Sequence, residues 1–228
     1  MMPLVYTSTP HSQTHPHAHL STDTAYEVYT KAMHSTNFNW LDLPADQAAP
    51  RLLGCELVST VGGHDVRVRI VETEAYDQTD ESSHTFHGRT ARNDAMFKGA
   101  GHLYVYFTYG MHHCLNIVCG PDGFGSGALI RAVEPVSGTD IIELRRGMTG
   151  VATTNGPGKL CVALAVDRSL SGHYLAEPPV QLIKRPAVST DSITITPRIG
   201  ISRNKQALRR FFLTGNPYVS KGSYYRPL

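Results

Sequence analysis

The chain of 228 residues lacks several features that would place it directly in a class of proteins. It has only four cysteines (Cys55, Cys114, Cys119 and Cys161), which form neither a C-x-x-C pair nor a regular framework. Such cysteines indicate reduced thiols in a cytosolic-type compartment rather than a disulfide scaffold. Segment 1–20 has no charged region followed by an apolar one, and no apolar run is long enough to span a membrane. We therefore expect a protein that is not secreted and has no membrane partner.

Two motifs of nucleotide and nucleobase chemistry are also absent from the sequence. A zinc deaminase needs an H-x-E and a P-C-x-x-C motif, and the chain has neither. The segment Asn155–Leu160 contains glycines and a lysine, but it does not follow the G-x-x-x-x-G-K-[ST] pattern of a phosphate loop. We therefore expect no catalytic metal and no cofactor.

The net charge of +2 does not by itself indicate a nucleic-acid partner. The distribution of charge is more informative, because segment 180–228 holds nine basic residues and one acidic residue, a net charge of +8. A basic segment of this kind suits contacts with phosphates. An ordinary solvated face would have the same composition, so the pattern leaves both interpretations open.

The first part of the chain differs in composition from the rest. Residues 1–38 are rich in Thr, Ser, His and Pro, and we expect a flexible arm there, with a short helix at 24–34. Four histidines in the arm could catch a metal ion adventitiously, but no cysteine or acid with ligand spacing supports them. Residues 39–228 are expected to form one domain, since the chain is 41% hydrophobic and long enough for a sizeable core.

A candidate strand in the first half of the domain carries two carboxylates. Val66, Val68 and Ile70 alternate with arginines, and this period of two predicts a half-buried strand. The same parity places Glu72 and Glu74 on the buried face, where a charge is costly unless it is paired or used. Residues i and i+2 of a strand lie roughly 6.5–7 Å apart. The pair could therefore flank a glycosidic bond with a water between them, one carboxylate could activate a water alone, or both could be structural.

A second candidate strand, from Leu103 to Tyr109, is rich in tyrosine and β-branched residues and is followed by a Gly-containing turn and a returning strand. Tyr104 and Tyr106 share one face of this predicted hairpin. Tyr109 stands beside Gly110 at its tip, where a side chain is usually exposed and could be pushed between base pairs. Cross-strand packing of the tyrosines is the alternative interpretation.

These stretches resemble the alkyladenine (3-methyladenine) DNA glycosylase family. The resemblance runs from about Leu43 to Ser220 and is carried by several blocks in the family's order. They read R-I-V-E-T-E-A-Y from Arg69, G-x-L-Y-V-Y-x-x-Y-G-M from Gly101, C-x-N from Cys114, L-I-R-A-V-E-P from Leu129, N-G-P-G-K-L from Asn155 and P-R-I-G-I from Pro197. Leu208 stands where the family usually has Trp.

The resemblance implies catalytic roles for two residues. Glu74 matches the general base that activates water, and Arg131 matches the arginine that helps to hold this water and the target phosphate. The expected reaction is hydrolysis of the N-glycosidic bond of an alkylated or deaminated purine that has been rotated out of duplex DNA. No lysine is expected beside Glu74 to form a Schiff base, so the product would be an abasic site without strand cleavage.

The resemblance also implies the residues that recognise the DNA. The residues that match the family's base pocket are Tyr76, His84, Tyr106, Asn116 and Leu129. The loop that carries His84 is a residue shorter than in the family, so His87 is an alternative for that contact. Tyr109 matches the side chain that fills the gap left in the duplex, and Lys159 and Arg198 are candidates for DNA-phosphate contacts.

The fold that the resemblance implies is α+β: one domain with a curved antiparallel sheet, surrounding helices and a protruding hairpin. We expect a monomer that binds double-stranded DNA with damaged purines, located in the cytoplasm or nucleoid if bacterial and in the nucleus if eukaryotic. Two other functions stay open. One is a hydrolase of another glycosidic substrate that uses Glu72 and Glu74 together, and the other is a non-catalytic module that binds damaged DNA or RNA.

Overall fold

The computed structural model describes residues 37–222. Most of the predicted arm, including the helix expected at 24–34, therefore lies outside the described residues. Phe38, which we assigned to the arm, belongs to the core instead: it is 2% exposed and its ring packs edge-on against Tyr174, with 5.4 Å between the ring centroids. Gly101 makes this contact possible, because a Cβ there would lie 2.0 Å from the Phe38 ring. The folded domain thus begins before residue 39.

An antiparallel sheet of eight strands forms the centre of the described fold. Its strands are β1 (Glu56–Ser59), β2 (Val66–Asp77), β3 (Leu103–Thr108), β4 (His112–Val118), β5 (Ser126–Ser137), β6 (Val180–Ile183), β7 (Ile193–Thr196) and β8 (Arg210–Leu213). Six strands follow the order β3-β4-β5-β2-β1-β6, and β8 joins β2 to β7. The long strand β2 pairs with β5 along one edge and with β1 and then β8 along the other.

Three α-helices accompany the sheet in the described part of the chain. They are α1 (Ala45–Arg51), α2 (Thr139–Arg146) and α3 (Pro157–Ala163). The sequence predicts helices at 139–146, before a glycine, and at 160–165, and α2 has the bounds of the first. The helix expected at 160–165 begins earlier, because Pro157 occupies its first turn, where a missing N–H is tolerated. This α+β fold on an antiparallel sheet confirms the predicted fold class.

Strand β2, which carries the two carboxylates, does not keep the regular alternation that the sequence predicts for it. The pairing of β2 with β5 is irregular between Ile70 and Glu72 and again between Glu72 and Thr73. Before this bulge Ile70 belongs to the main core, and after it Ala75 does, so the core-facing row changes parity. One extra residue moves all later side chains to the other face. The prediction that Glu72 and Glu74 continue the row of Ile70 is therefore wrong.

The tyrosine hairpin has the predicted form. Strands β3 and β4 pair from Leu103 with Ile117 to Thr108 with His112, and residues 109–111 form the turn. At the tip, Tyr109 is 84% exposed and has a positive φ of 52°. Such a backbone conformation is uncommon for a bulky residue, and here it occurs at the tip of the hairpin, where the ring is exposed.

Candidate active site

One row of residues across four strands builds the site. Tyr104 on β3 lies opposite Asn116 on β4, which lies opposite Leu129 on β5, which in turn lies opposite Glu74 on β2. Residues directly opposite each other in a sheet project from the same face. The irregular segment of β2 and β5 therefore matters for the site, because without its change of parity Glu74 would face the main core and not the side of this row.

Glu74 is completely buried and accepts hydrogen bonds from three groups. Its Oε2 lies 2.8 Å from the hydroxyl of Tyr76 and 3.1 Å from Nη1 of Arg131, and its Oε1 lies 2.8 Å from the backbone N of Ile199. Burial and the negative charge of Glu74 raise the pKa of Tyr76 well above its ordinary value, so this phenol stays protonated and donates. Each of the three groups belongs to a residue that lines a cavity.

The second carboxylate has different surroundings. Glu72 accepts from Nε of Arg131 at 3.2 Å, from Nε of Arg210 at 2.6 Å, and from the backbone N and hydroxyl of Ser220 at 2.6 and 2.8 Å. It is fully buried, and neither it nor Arg210 lines the cavity. Burial opposes the positive charge of Arg131, but the charges of Glu74 and Glu72 raise the pKa of its guanidinium, so Arg131 stays a cation between them.

The cavity has a volume of about 550 Å³. This space fits a group of the size of a nucleobase, since ligand sites typically have volumes of a few hundred Å³ or more. The predicted site residues in its wall are Tyr76, His84, Tyr106, Tyr109, Asn116, Leu129 and Arg131. The structure thus brings together seven of the predicted site residues, with Glu74 directly behind them.

The aromatic part of the wall includes one residue that the sequence analysis did not single out for the site. The rings of Tyr104 and Tyr106 are stacked, with centroids 5.5 Å apart and planes inclined by 26°. His84 lies edge-on to Tyr106 at 4.6 Å, and its Nδ1 is 3.0 Å from the Tyr104 hydroxyl. Burial raises the pKa of Tyr104 to about 12. The alternation of the strand, which puts Tyr104 and Tyr106 on one face, was the signal available for Tyr104.

Both His84 and His87 are partly open to solvent, but only His84 lines the cavity, whereas His87 packs edge-on against Phe86 outside it. Partial desolvation and the positive charge of Arg92 lower the pKa of His84 below its ordinary value of 6.5. The imidazole is therefore neutral at pH 7.

The floor of the cavity is formed by two nearly buried residues. Asn116 is 4% exposed, and its amide Nδ2 donates to the carbonyl of Tyr104 at 3.3 Å. Leu129, opposite it on β5, is 5% exposed. A ligand that enters the cavity edge-on would therefore contact one amide and one apolar side chain.

The two candidates for phosphate contacts lie elsewhere. Arg198 does not fit this role, because its side chain has no exposed surface and forms an ion pair with Asp80. Lys159 is partly exposed in the first turn of α3, where its Nζ lies 2.7 Å from Oδ1 of Asn155.

Much of the charge in the described part of the basic C-terminal segment is used in ion pairs. Five of its arginines pair with acidic residues from earlier in the chain. These pairs are Arg185 with Glu56, Arg198 with Asp80, Arg203 with Glu81, Arg209 with Asp77 and Asp80, and Arg210 with Glu72. The charge of the segment therefore mainly attaches it to the sheet and to the loop after β2.

A second cavity of about 760 Å³ lies beside the hairpin and shares Tyr106 with the first. Three basic side chains line it, those of Arg92, Lys98 and Arg168, together with Asp94, which is paired with Arg89 at 2.7 Å. Sequence reasoning missed this group, because the three cations are separated along the chain and no local pattern joins them. Across residues 37–222, no group of three or more His, Cys, Asp or Glu side chains could hold a metal ion, and no helix could cross a membrane.

A buried carboxylate with an arginine, placed behind an aromatic cavity, is compatible with an enzyme active site. Comparison with known proteins defines the family. Residues 39–217 match the methylpurine-DNA glycosylase family. The chain belongs to this family, whose members are DNA glycosylases, enzymes that hydrolyse N-glycosidic bonds.

Individual relatives agree with the family match over most of their length. The chain is 47% identical to a protein of Carboxydothermus hydrogenoformans over 175 residues, which is 76% of this chain and 92% of the relative. It is 49% identical to one of Corynebacterium glutamicum over 180 residues, 78% and 92% of the two chains. A third, of Methanoculleus marisnigri, is 41% identical over 182 residues, 76% and 92%. Each is named "Putative 3-methyladenine DNA glycosylase", and the resemblance stated from the sequence is confirmed.

Proposed function

We propose that the chain is a monofunctional glycosylase of base excision repair that removes alkylated or deaminated purines from double-stranded DNA. The substrates would include 3-methyladenine, 7-methylguanine, hypoxanthine and ethenoadenine. The observation that carries this proposal is the position of Glu74, one layer behind the cavity and hydrogen-bonded to Tyr76, Arg131 and Ile199 in its wall. A base in the cavity would have its glycosidic bond close to this carboxylate.

The damaged nucleotide would first leave the duplex, since its glycosidic bond cannot be reached inside the stack. Unstacking costs a few kcal/mol, and stacking on aromatic side chains returns about 1–3 kcal/mol per base. Tyr76, Tyr106 and His84 supply such surfaces in the cavity. Tyr109, exposed at the hairpin tip, would fill the gap that the base leaves.

The chemical step is a hydrolysis. The C1′–N9 bond breaks and its electron pair leaves with the purine, while the sugar acquires oxocarbenium character. A water then bonds to C1′ as one of its protons passes to Glu74. A cationic purine leaves as a neutral molecule, whereas hypoxanthine or ethenoadenine leaves as an anion that takes up one proton from the solvent. Because Glu74 has no accessible surface in the DNA-free protein, one of its present partners must give way to this water. Arg131, held by Glu72 on its other side, would stay in place and orient the carboxylate.

Asn116 would discriminate between damaged and normal purines. Its amide group donates to the Tyr104 carbonyl, which fixes its orientation on the cavity floor. The exocyclic amino group of guanine would crowd this amide, so we expect guanine and 7-methylguanine, which share that group, to fit the cavity less well than hypoxanthine and the adenine derivatives. Leu129 beside it offers an apolar contact to the ring of the base.

The test is single-turnover excision from duplex oligonucleotides that each carry one hypoxanthine or one 7-methylguanine. We expect alkali-labile abasic sites from the damaged strand and an intact undamaged duplex. Among the described residues no lysine lines the cavity, so borohydride should trap no enzyme–DNA adduct. Borohydride trapping would contradict the monofunctional mechanism, and the absence of excision from every damaged duplex would contradict the proposal as a whole.

Two other functions make different predictions. A hydrolase that uses two carboxylates would need both at the cavity, whereas Glu72 is enclosed by Arg210 and Ser220 away from it. A binding module without catalysis would bind damaged DNA and release no base, and Glu74→Gln would leave it unaffected.

A further inference from the structure

The side chain of Arg198 is completely buried, yet most of its hydrogen-bonding capacity is unused. Its Nη1 donates to the carbonyl of Ala75 at 2.9 Å and to the carboxylate of Asp80. Its Nε and Nη2 have no hydrogen-bond partner. A buried guanidinium with two unpartnered nitrogens is costly, so some other contact must account for its position.

That contact is the ring of Tyr76. The guanidinium carbon of Arg198 lies 4.5 Å from the ring centroid, within the range of a cation–π interaction. Tyr76 lines the cavity, whereas Arg198 does not. The arginine therefore covers the side of the ring that faces away from the cavity.

The next residue along the chain reinforces this arrangement. Ile199 donates its backbone N–H to Glu74 at 2.8 Å, while Arg198 bonds to Ala75 and covers Tyr76. Two successive residues of one segment thus hold three successive residues of β2. They fix the proposed base and the proposed stacking ring relative to each other.

Arg198 also belongs to a charge cluster that is neutral as a whole. Asp80 bonds to Arg198 and, at 3.3 Å, to Arg209, and Arg209 bonds to Asp77 at 2.7 Å. Burial opposes the charge of Asp80, but the hydrogen bonds from Arg198, Ser82 and Asn204 lower its pKa, so it is ionised at pH 7. Removal of either Arg198 or Asp80 would leave one uncompensated charge, of opposite sign in the two cases.

We propose that Arg198 is a positioning residue that holds the Tyr76 ring from behind and, with Asp80, sets the preference of the cavity between cationic and neutral bases. This inference rests on the proposed function. A cation on one face of an aromatic ring engages its electron density and repels a second cation on the other face. The neutral Arg198–Asp80 pair limits this repulsion, so that the ring still accepts an alkylated, positively charged purine.

The experiment compares two single-turnover excision rates for each variant, with 7-methylguanine as the cationic base and hypoxanthine as the neutral one in the same duplex. Arg198→Met removes the positive charge, and the ratio of cationic to neutral excision should rise by about threefold or more. Asp80→Asn removes the negative charge, and the ratio should fall by a similar factor. Arg198→Lys keeps the charge without the planar stacking surface, so both rates should fall while the ratio stays near that of the wild type.

A purely structural role of Arg198 predicts another result: both rates would fall in proportion, and the ratio would be the same in Arg198→Met and Asp80→Asn. That outcome would overturn the inference while leaving the proposed function intact. If Arg198→Met does not fold, the other two variants still decide it: the ratio should fall in Asp80→Asn and stay near that of the wild type in Arg198→Lys, and an unchanged ratio in Asp80→Asn overturns the inference. A wild-type protein that excises neither base would contradict the proposed function itself.

Discussion

Tyr76 donates its hydroxyl to the carboxylate of Glu74, two residues before it on the same strand, over 2.8 Å. The ring lines the cavity while the carboxylate lies behind the wall. One short contact therefore couples the surface on which a base would stack to the group that would activate water. Since burial and the charge of Glu74 raise the pKa of Tyr76, this coupling persists throughout the neutral pH range.

The exposed tip of the hairpin gives a first prediction. Tyr109→Gly removes the ring that would occupy the gap in the duplex, and glycine adopts the positive φ of this position without strain. We expect the thermal stability to be unchanged or slightly higher and excision from duplex DNA to fall by about tenfold or more, since a lost stack is worth about 1–3 kcal/mol. Excision from a single-stranded oligonucleotide, where no gap exists, is the control. An equal loss on both substrates would contradict the role of Tyr109.

The second prediction concerns the basic cavity lined by Arg92, Lys98 and Arg168. If these cations meet DNA phosphates, Lys98→Gln and Arg168→Gln should weaken binding equally for damaged and undamaged duplexes. Each should reduce the slope of log K against log salt by about one. Lys221→Gln, in the C-terminal part of the domain and outside both cavities, is the matched control. An unchanged salt slope in both cavity variants would show that DNA does not reach this cavity.

A stability prediction follows from the buried ion pairs. Arg210→Met leaves the fully buried Glu72 with one arginine fewer. Breaking a buried pair by removing one partner costs about 3–5 kcal/mol. Arg69→Met, which removes a half-exposed partner of Glu134, should cost no more than about 1 kcal/mol. Urea unfolding of both variants measures the difference, and equal free energies of unfolding would contradict a structural role for the Glu72 cluster.

His84 gives a prediction about pH. Its pKa in the folded protein is below 6.5, through desolvation and then through Arg92. The unfolded chain therefore binds the proton more readily. The contribution of His84 to stability is fully present above pH 6.5 and is lost as the pH falls through the folded pKa. An NMR titration should show this lowered pKa, and Arg92→Gln should move it upward. A pKa at or above 6.5 in the wild type would contradict the arrangement.

Parts of this structure can be predicted from the sequence because they depend on local signals. Helix α2 begins and ends where the sequence predicts, since Gly138 and Gly147 flank it and both adopt positive φ. The tyrosine hairpin follows from alternation and a Gly-containing turn. The family motifs then predicted which side chains would share one site, and seven of them line the same cavity.

Other parts depend on contacts between distant residues, and no local pattern contains them. The bulge in β2 changes which face Glu72 and Glu74 occupy, although the alternation of the preceding residues is perfect. The sequence makes Arg198 a candidate for a phosphate contact, but the residue is buried in an ion pair with Asp80. Since Asp80 lies 118 residues earlier in the chain, no local pattern shows this pair. The same holds for Arg210 and Glu72, which are separated by 138 residues.

The most direct test of the catalytic proposal compares Glu74→Gln with Glu72→Gln in single-turnover excision of hypoxanthine. Both substitutions keep the shape of a buried carboxylate that bonds to Arg131, but all the partners of Glu74 line the cavity, whereas of the partners of Glu72 only Arg131 does. We predict that Glu74→Gln binds the damaged duplex and loses about 10²–10⁴-fold in rate. The excision rate of the folded fraction of Glu72→Gln should stay within about tenfold of the wild-type rate, a difference of about 1.4 kcal/mol in activation free energy. Full activity of Glu74→Gln, or an equal loss in both variants, would contradict the proposal that Glu74 alone activates the water.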